Sequence, residues 1–279
     1  MQQMLAYIQD SLRALYTPGE ARTIAFMLME RATGLSHARV LVNKDTTFPA
    51  EQRKQIVTFV EKLREGVPVQ YVLGEAEFYG LRFEVNEAVL IPRPETEELV
   101  EWVERDNRSI PGGCLLDVGT GSGCIAVTLK RRMLPWQVDA FDISADALAV
   151  AARNARRHGV EVRFRLCDIL QPYPGDEQWD VVVSNPPYIP EREKAHMTPQ
   201  VLAHEPARAL FVPDGHPLLF YEHIGAFAWR HLSAGGRLYF EIHYDAGAAV
   251  VELLRSLGFA EVELRRDLAG HDRMVKAVR

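Results

Sequence analysis

The stretch Asn185-Pro186-Pro187-Tyr188 is built from residue types that could handle a planar nitrogen. Two consecutive prolines fix the backbone torsions and remove two N–H donors, leaving nearby carbonyls as rigid acceptors. Asn185 adds a side-chain acceptor, and Tyr188 adds a flat face with a hydroxyl. An amide or ring amino nitrogen is a poor nucleophile because its lone pair is delocalised. The Asn185 side-chain oxygen and the Pro186 carbonyl could accept both hydrogens of such an NH2 group and fix its plane. They would favour the pyramidal, increasingly positive nitrogen that forms during attack on carbon. Pro187 stiffens the loop, and Tyr188 would stack on the planar group and exclude water.

A second constellation lies earlier in the chain. Asp117-Val-Gly119-Thr120-Gly121-Ser-Gly123 sits where an apolar strand ends and a helix begins. Glycines at such a place let the chain turn sharply and let a ligand approach the backbone. The dinucleotide fingerprint is G-x-G-x-x-G, and here the third glycine arrives one residue early. Asp117 would also repel a pyrophosphate, whereas a zwitterion carrying a sulfonium suits this polarity. Asp142 follows 25 residues after Asp117, just before Ile143, and can accept hydrogen bonds from both hydroxyls of a ribose. Asp168 comes 26 residues further on and can face an adenine amino group, with the backbone amide of Ile169 available to a ring nitrogen. Each aspartate alone reads as a helix cap or turn former. Three in register at successive strand ends are better explained by one extended adenosyl ligand. A sulfonium is already an activated leaving group, so transfer from it needs no metal and no covalent intermediate.

The elements that must position these residues follow a strand-turn-helix rhythm from Pro111 onward. CLLDV, VDAFDI, VRFRL, WDVVVS and GRLYFEI read as strands, with AEVELRR and DRMVKAV as two more candidates in the tail. CIAVTLKRRM, ADALAVAARNARRHG and AAVVELLRSLG read as helices, which argues for an α/β fold with a mostly parallel sheet covered on both faces. Ligand residues of such sheets gather at the carboxyl ends of the strands. Residues 1–75 read instead as a small helical domain: Leu5, Ile8, Leu12 and Leu15 recur at helical spacing, and a further helix begins at Pro49. Residues 76–90 read as a β-hairpin linker, and 91–279 as the catalytic domain.

Bulk properties narrow the partners. The 279 residues carry 47% hydrophobic side chains and a formal charge of −6, and residues 1–80 balance nine basic against nine acidic residues. No long basic run supplies the phosphate-neutralising face of a dedicated nucleic-acid binder. The local cluster of Arg153, Arg156, Arg157, Arg163 and Arg165 reads as a solvated face. Three cysteines without a CxxC pair argue against a zinc cluster or a disulfide framework and suit a reducing cytoplasm. The first fifteen residues lack the pattern of a signal peptide, and no apolar run reaches membrane-spanning length. A monomer without membrane association is the expectation.

DVGTGSG, FD at 141–142, CD at 167–168 and NPPYIP at 185–190 resemble the class I, Rossmann-like methyltransferases that modify planar NH2 groups. Within them, LIPRPETE and its flanks (residues 67–100) and RDLAGHDRMV (266–275) are similar to the release factor glutamine methyltransferases. The resemblance implies a seven-stranded sheet with an antiparallel C-terminal strand, S-adenosyl-L-methionine as cofactor and S-adenosyl-L-homocysteine as product. It implies methylation of the N5 amide of the glutamine in the GGQ motif of class 1 peptide chain release factors. Asp117, Gly119, Thr120, Gly121, Gly123, Asp142, Ile143, Asp168, Ile169 and Asn185 would form the cofactor site. Asn185, Pro186 and Tyr188 would be the catalytic set, with Pro187, Arg93 and Glu95 joining them against the substrate and the helical domain docking the release factor. The alternative acceptor is an exocyclic amino group of adenine or guanine in DNA or RNA, whose extraction from a stack calls for a phosphate grip that the charge pattern does not supply. Where family members carry Glu-Ile-Gly or Glu-His-Gly, this chain has Glu241-Ile242-His243, and His243 reads as a packing residue.

Overall fold

The computed structural model describes residues 1–43 and 48–279. Two compact units are present: Met1–Glu75 with Thr198–His204, and Ala76–Met197 with Glu205–Arg279.

The first unit is a helical bundle. Helix α1 (Gln2–Leu12) buries Met4, Leu5, Ile8 and Leu12, the stripe expected of a 3.6-residue period. Helix α2 (Pro18–Thr33) starts in a capping box: the Glu20 N–H donates to the Thr17 hydroxyl, and the Thr17 N–H donates to the Glu20 carboxylate at 2.8 Å. Its other end is Gly34, in the left-handed conformation. Helices α3 (His37–Val42), α4 (Ala50–Arg64) and α5 (Val69–Leu73) complete the run, with Pro49 just ahead of the first turn of α4. Ile8, Leu28, Met29, Ile56 and Leu63 meet in its core. Helix α9 (Pro199–His204), from far along the chain, belongs to this unit, and Gln200 Nε2 donates to the Tyr16 hydroxyl at 3.1 Å. Residues 44–47 of the expected 1–75 domain lie outside the described residues.

From Ala76 the second unit holds all but the first residue of a hairpin, β1 (Glu75–Phe78) and β2 (Leu81–Glu84). Tyr79 and Gly80 both have positive φ, 50° and 71°, as the tight two-residue turn that matches strand twist requires. After helix α6 (Pro94–Asn107) come β3 (Cys114–Val118), α7 (Cys124–Arg132), β4 (Gln137–Asp142), α8 (Ala145–Arg157), β5 (Arg163–Leu166) and β6 (Trp179–Ser184). Two short strands, β7 (Ile189–Pro190) and β8 (Phe211–Val212), pair with each other. Helix α10 (Leu219–His231), β9 (Leu232–Glu241), α11 (Gly247–Ser256), β10 (Ala260–Arg266) and β11 (Asp272–Val278) follow.

The seven-stranded sheet has the order β10-β11-β9-β6-β3-β4-β5. Its β9, β6, β3, β4 and β5 run parallel, while β11 is antiparallel to both its neighbours. The expected mostly parallel sheet with an antiparallel C-terminal strand is what the chain forms. Successive residues alternate between two cores. Leu115, Val181, Val183 and Tyr239 pack with residues of α6 and α7, while Leu116, Val182, Leu238 and Phe240 pack with α10 and α11. Connections from β3 lead to β4 and β5 on one side, and β6 and β9 lie on the other. The carboxyl ends of β3 and β6 therefore adjoin at the point where strand order reverses, the place where open α/β sheets bind ligands. Among the described residues no helix is long and apolar enough to cross a membrane. In the arginine cluster, Arg153 pairs with Glu84, Arg163 with Asp139 and Arg165 with Glu177.

Candidate active site

Four parallel strands deliver four polar side chains to one edge of the sheet. Asp117 stands on β3, Asp142 ends β4, Asp168 follows β5 by two residues, and Asn185 follows β6 directly. A cavity of about 370 Å³ opens there, lined by Gly119, Gly121, Asp142, Ile143, Asp168, Ile169, Asn185, Pro186 and Pro187. Such a volume is in the range of small-molecule sites.

The glycine loop turns from β3 into α7 with Gly119, Gly121 and Gly123 all at positive φ. A Cβ built on Gly119 or Gly121 meets no atom within 4 Å, so their open side is available to a ligand. At Gly123 the reason is packing, because a Cβ there would come within 3.0 Å of the Ala151 Cβ on α8. Asp142 holds the loop: its Oδ2 accepts the Gly121 N–H at 2.8 Å and its Oδ1 accepts the Ser144 N–H at 2.9 Å. Burial raises the Asp142 carboxyl above its usual range, opposed by those N–H donors. Each oxygen keeps a further lone pair, so both can still receive hydroxyls. Asp168 Oδ1 accepts the Leu170 N–H at 3.0 Å, an Asx turn that presents Ile169 and Leu170 to the cavity.

Six of the residues read from the sequence do not line this cavity. Asp117 lies fully buried beneath the loop, where its Oδ2 accepts from the Thr120 hydroxyl at 2.6 Å and from the Ala126 N–H at 3.2 Å. Its Oδ1 has no hydrogen-bond partner among the described residues, and burial pushes the carboxyl up to about 7. Thr120 and Gly123 shape the turn from behind. The Tyr188 hydroxyl donates to Glu241 Oε1 at 3.0 Å, and its ring lies edge-on to His243, itself hydrogen-bonded to Glu193. Burial and the neighbouring carboxylate raise the Tyr188 phenol well above its ordinary range, so it stays protonated. Arg93 pairs with buried Glu205, and Glu95 sits half-buried in the first turn of α6.

The structure adds residues that the sequence reading did not single out. Ala88, Val89 and Leu90 form one wall, and Phe220 and Ile224 of α10 form an apolar floor. Arg208, in the 3-10 turn Ala207–Ala209, contributes a cation close enough to stabilise the Asp142 carboxylate. Ile143, which lines the cavity, is 55% exposed. Acceptors at successive strand ends, an apolar slot and a backbone-exposing loop together fit an adenosyl group with a charged amino-acid tail.

Fold and site define a class: this is the Rossmann-like fold of the adenosylmethionine-dependent methyltransferases. The methyltransferase small domain matches residues 95–220, and the PrmC N-terminal domain matches residues 3–74. The release factor glutamine methyltransferase of Flavobacterium psychrophilum is 41% identical over 96% of this chain and 95% of its own length. That of Bacteroides thetaiotaomicron is 38% identical with both chains fully covered. In fold, the chain is similar to the hMettl16 catalytic domain solved with an RNA hairpin, with a TM-score of 0.56, 18% identity and 82% of each chain covered. The chain belongs to the release factor glutamine methyltransferase family.

Proposed function

We propose that this protein methylates the N5 side-chain amide of the glutamine in the GGQ motif of class 1 peptide chain release factors, using S-adenosyl-L-methionine. Family membership supports the substrate, and the observation that carries the chemistry is Asn185-Pro186 on the cavity wall beside the acid-lined pocket. When bound, adenosylmethionine supplies a methyl group on a positively charged sulfur. Asp142 would accept the ribose hydroxyls, Asp168 with the Ile169 amide would hold the adenine, and the Gly119–Gly121 backbone would give room for the amino-acid tail. The Asn185 Oδ1 and the Pro186 carbonyl accept the two amide hydrogens and point the nitrogen lone pair at the methyl carbon. The cofactor would supply a methyl carbon to which the amide nitrogen bonds as the C–S bond breaks onto sulfur, and the proton would then pass from the strongly acidic N-methylated amide cation to water. Tyr188, Arg93 and Glu95 support the acceptor side of the site. The 1–75 bundle docks the release factor, and the enzyme acts as a monomer in the cytoplasm, a location that the three free cysteines support.

The experiment is incubation of the full chain with labelled adenosylmethionine and, in separate arms, unmethylated release factors, DNA and RNA, followed by mass mapping of the product. Label on the GGQ glutamine is the expected result. Label on an adenine or guanine amino group, with none on the release factor, would overturn the reading.

A further inference from the structure

Three elements distant in sequence meet behind Asn185. Thr96 lies in the first turn of α6 and Glu241 ends β9; their side chains are almost wholly buried. The Thr96 hydroxyl donates to Glu241 Oε2 at 2.7 Å, and the Tyr188 hydroxyl donates to Glu241 Oε1 at 3.0 Å. Asn185 Nδ2 donates to Thr96 Oγ1 at 3.0 Å.

The polarity of this chain follows from counting protons. A threonine hydroxyl has one hydrogen, and here Glu241 takes it. Thr96 Oγ1 can then only accept from its other neighbour, and of the two ends of the Asn185 carboxamide only the NH2 can donate to it. The amide is thereby held with Nδ2 inward, leaving Oδ1 for the cavity. The reverse flip would set two acceptors against each other in a buried place, with no donor for either. Arg273 adds positive charge near Glu241 and favours its ionised, purely accepting form, against the burial that raises its carboxyl.

We infer that Glu241 and Thr96 are positioning residues for the methyl acceptor: they lock the Asn185 carboxamide with its oxygen toward the substrate, so that the site takes an NH2-bearing group. This rests on the role given above to Asn185. An acceptor offering an NH2 meets a fixed oxygen, whereas a carboxylate or a carbonyl oxygen presented at the same place would meet an atom that cannot donate. Selection of an amide over the corresponding acid thus comes from residues that never touch the substrate.

The test measures single-turnover methylation of an unmethylated release factor at saturating cofactor, together with adenosylmethionine affinity by calorimetry, in the full chain. Thr96→Val has the same shape without the hydroxyl and frees the amide to flip. Turnover should fall at least about tenfold, with cofactor affinity unchanged. Thr96→Ser restores the hydroxyl and should recover most of the turnover. Glu241→Gln should lower turnover alone and add nothing in the Thr96→Val background, because both act through one amide. Native turnover in Thr96→Val, loss of its cofactor binding, failure of serine to rescue, or independent effects of the two changes would each overturn the inference. Asn185→Ala separates the two levels. If that variant is inactive while Thr96→Val is fully active, only the positioning role falls; if it is active, the assignment of Asn185 falls first.

Discussion

Asp142 and Gly121 are joined by a 2.8 Å hydrogen bond from the glycine N–H to Oδ2, so the end of β4 sets where the glycine loop lies. The carboxylate proposed to take the ribose is also the anchor of the backbone proposed to face the amino-acid tail. On that proposal, ligand recognition and loop geometry are two readouts of one side chain.

Replacing Asp142 by Ala removes the acceptor for Gly121 and Ser144 as well as for the ligand. Charge-assisted hydrogen bonds are worth about 1.5–3 kcal/mol, so adenosylmethionine affinity should fall at least about tenfold. Isothermal titration calorimetry measures this directly, and an unchanged dissociation constant would show that the acid lies off the ligand.

Gly123→Ala should destabilise the whole second unit. The position has φ 79°, and the added methyl would stand 3.0 Å from the Ala151 Cβ and 3.2 Å from its Cα. A non-glycine residue held in the left-handed region costs about 1–3 kcal/mol before the clash is counted. A lower urea midpoint at unchanged slope is the expected outcome. An identical midpoint would mean that the loop relaxes freely.

Glu205 ties two sides of the pocket wall together. Its Oε2 accepts the Ile91 N–H at 3.1 Å and its Oε1 pairs with Arg93, while the side chain itself is almost wholly buried. Glu205→Ala leaves that N–H and the guanidinium without their partner and loosens Ala88–Leu90, which line the cavity. Thermal stability and cofactor affinity should drop together, by about 1.5–3 kcal/mol in stability. Loss of stability with native affinity would separate this strut from the pocket.

Asp117 makes the ligand-free protein sensitive to pH in a defined window. Its carboxyl rises from 3.8 to about 7 on folding because burial penalises the charged form. A raised folded value means that its contribution to stability is full below about 3.8 and is lost as pH climbs through 7. Asp117→Asn should therefore flatten the fall in melting temperature across that window in a thermal scan without cofactor. If the variant and the native chain melt in parallel at every pH, the buried acid is not the source.

The parts of the site that lie on a strand-turn-helix unit could be read directly from the chain. Gly119, Gly121, Asp142, Asp168 and Asn185 each follow a short apolar run, and strand ends of a parallel sheet share one edge. Arg208, Phe220 and Ile224 were silent because the segment from 191 to 231 carries no such rhythm. Its 3-10 turns are short, and α10 is apolar on more than one side. The Thr96–Glu241 pair spans 145 residues: Thr96 stands in LIPRPETE and Glu241 opens Glu241-Ile242-His243, but nothing local in either segment shows that the two meet. Tyr188 reads by residue type as a flat face for the substrate, and what that reading leaves out is the anchor of its hydroxyl on Glu241. The small helical unit was legible as helices, while the recruitment of Pro199–His204 into it was not, since nothing local marks that excursion.

The position of β11 inside the sheet orders the folding of the catalytic unit in time. It is made after every other strand of the sheet, yet it lies between β9 and β10 and bonds to both. A nascent chain that has reached Arg266 has β9 with one side unpaired and β10 with no neighbour at all. Those open backbone edges invite pairing with other chains until Asp272–Val278 slots between them. A chain truncated before Asp272 would thus carry an open edge on β9 and an unpaired β10, and a frameshift confined to β11 would act as a solubility defect although the pocket residues are intact.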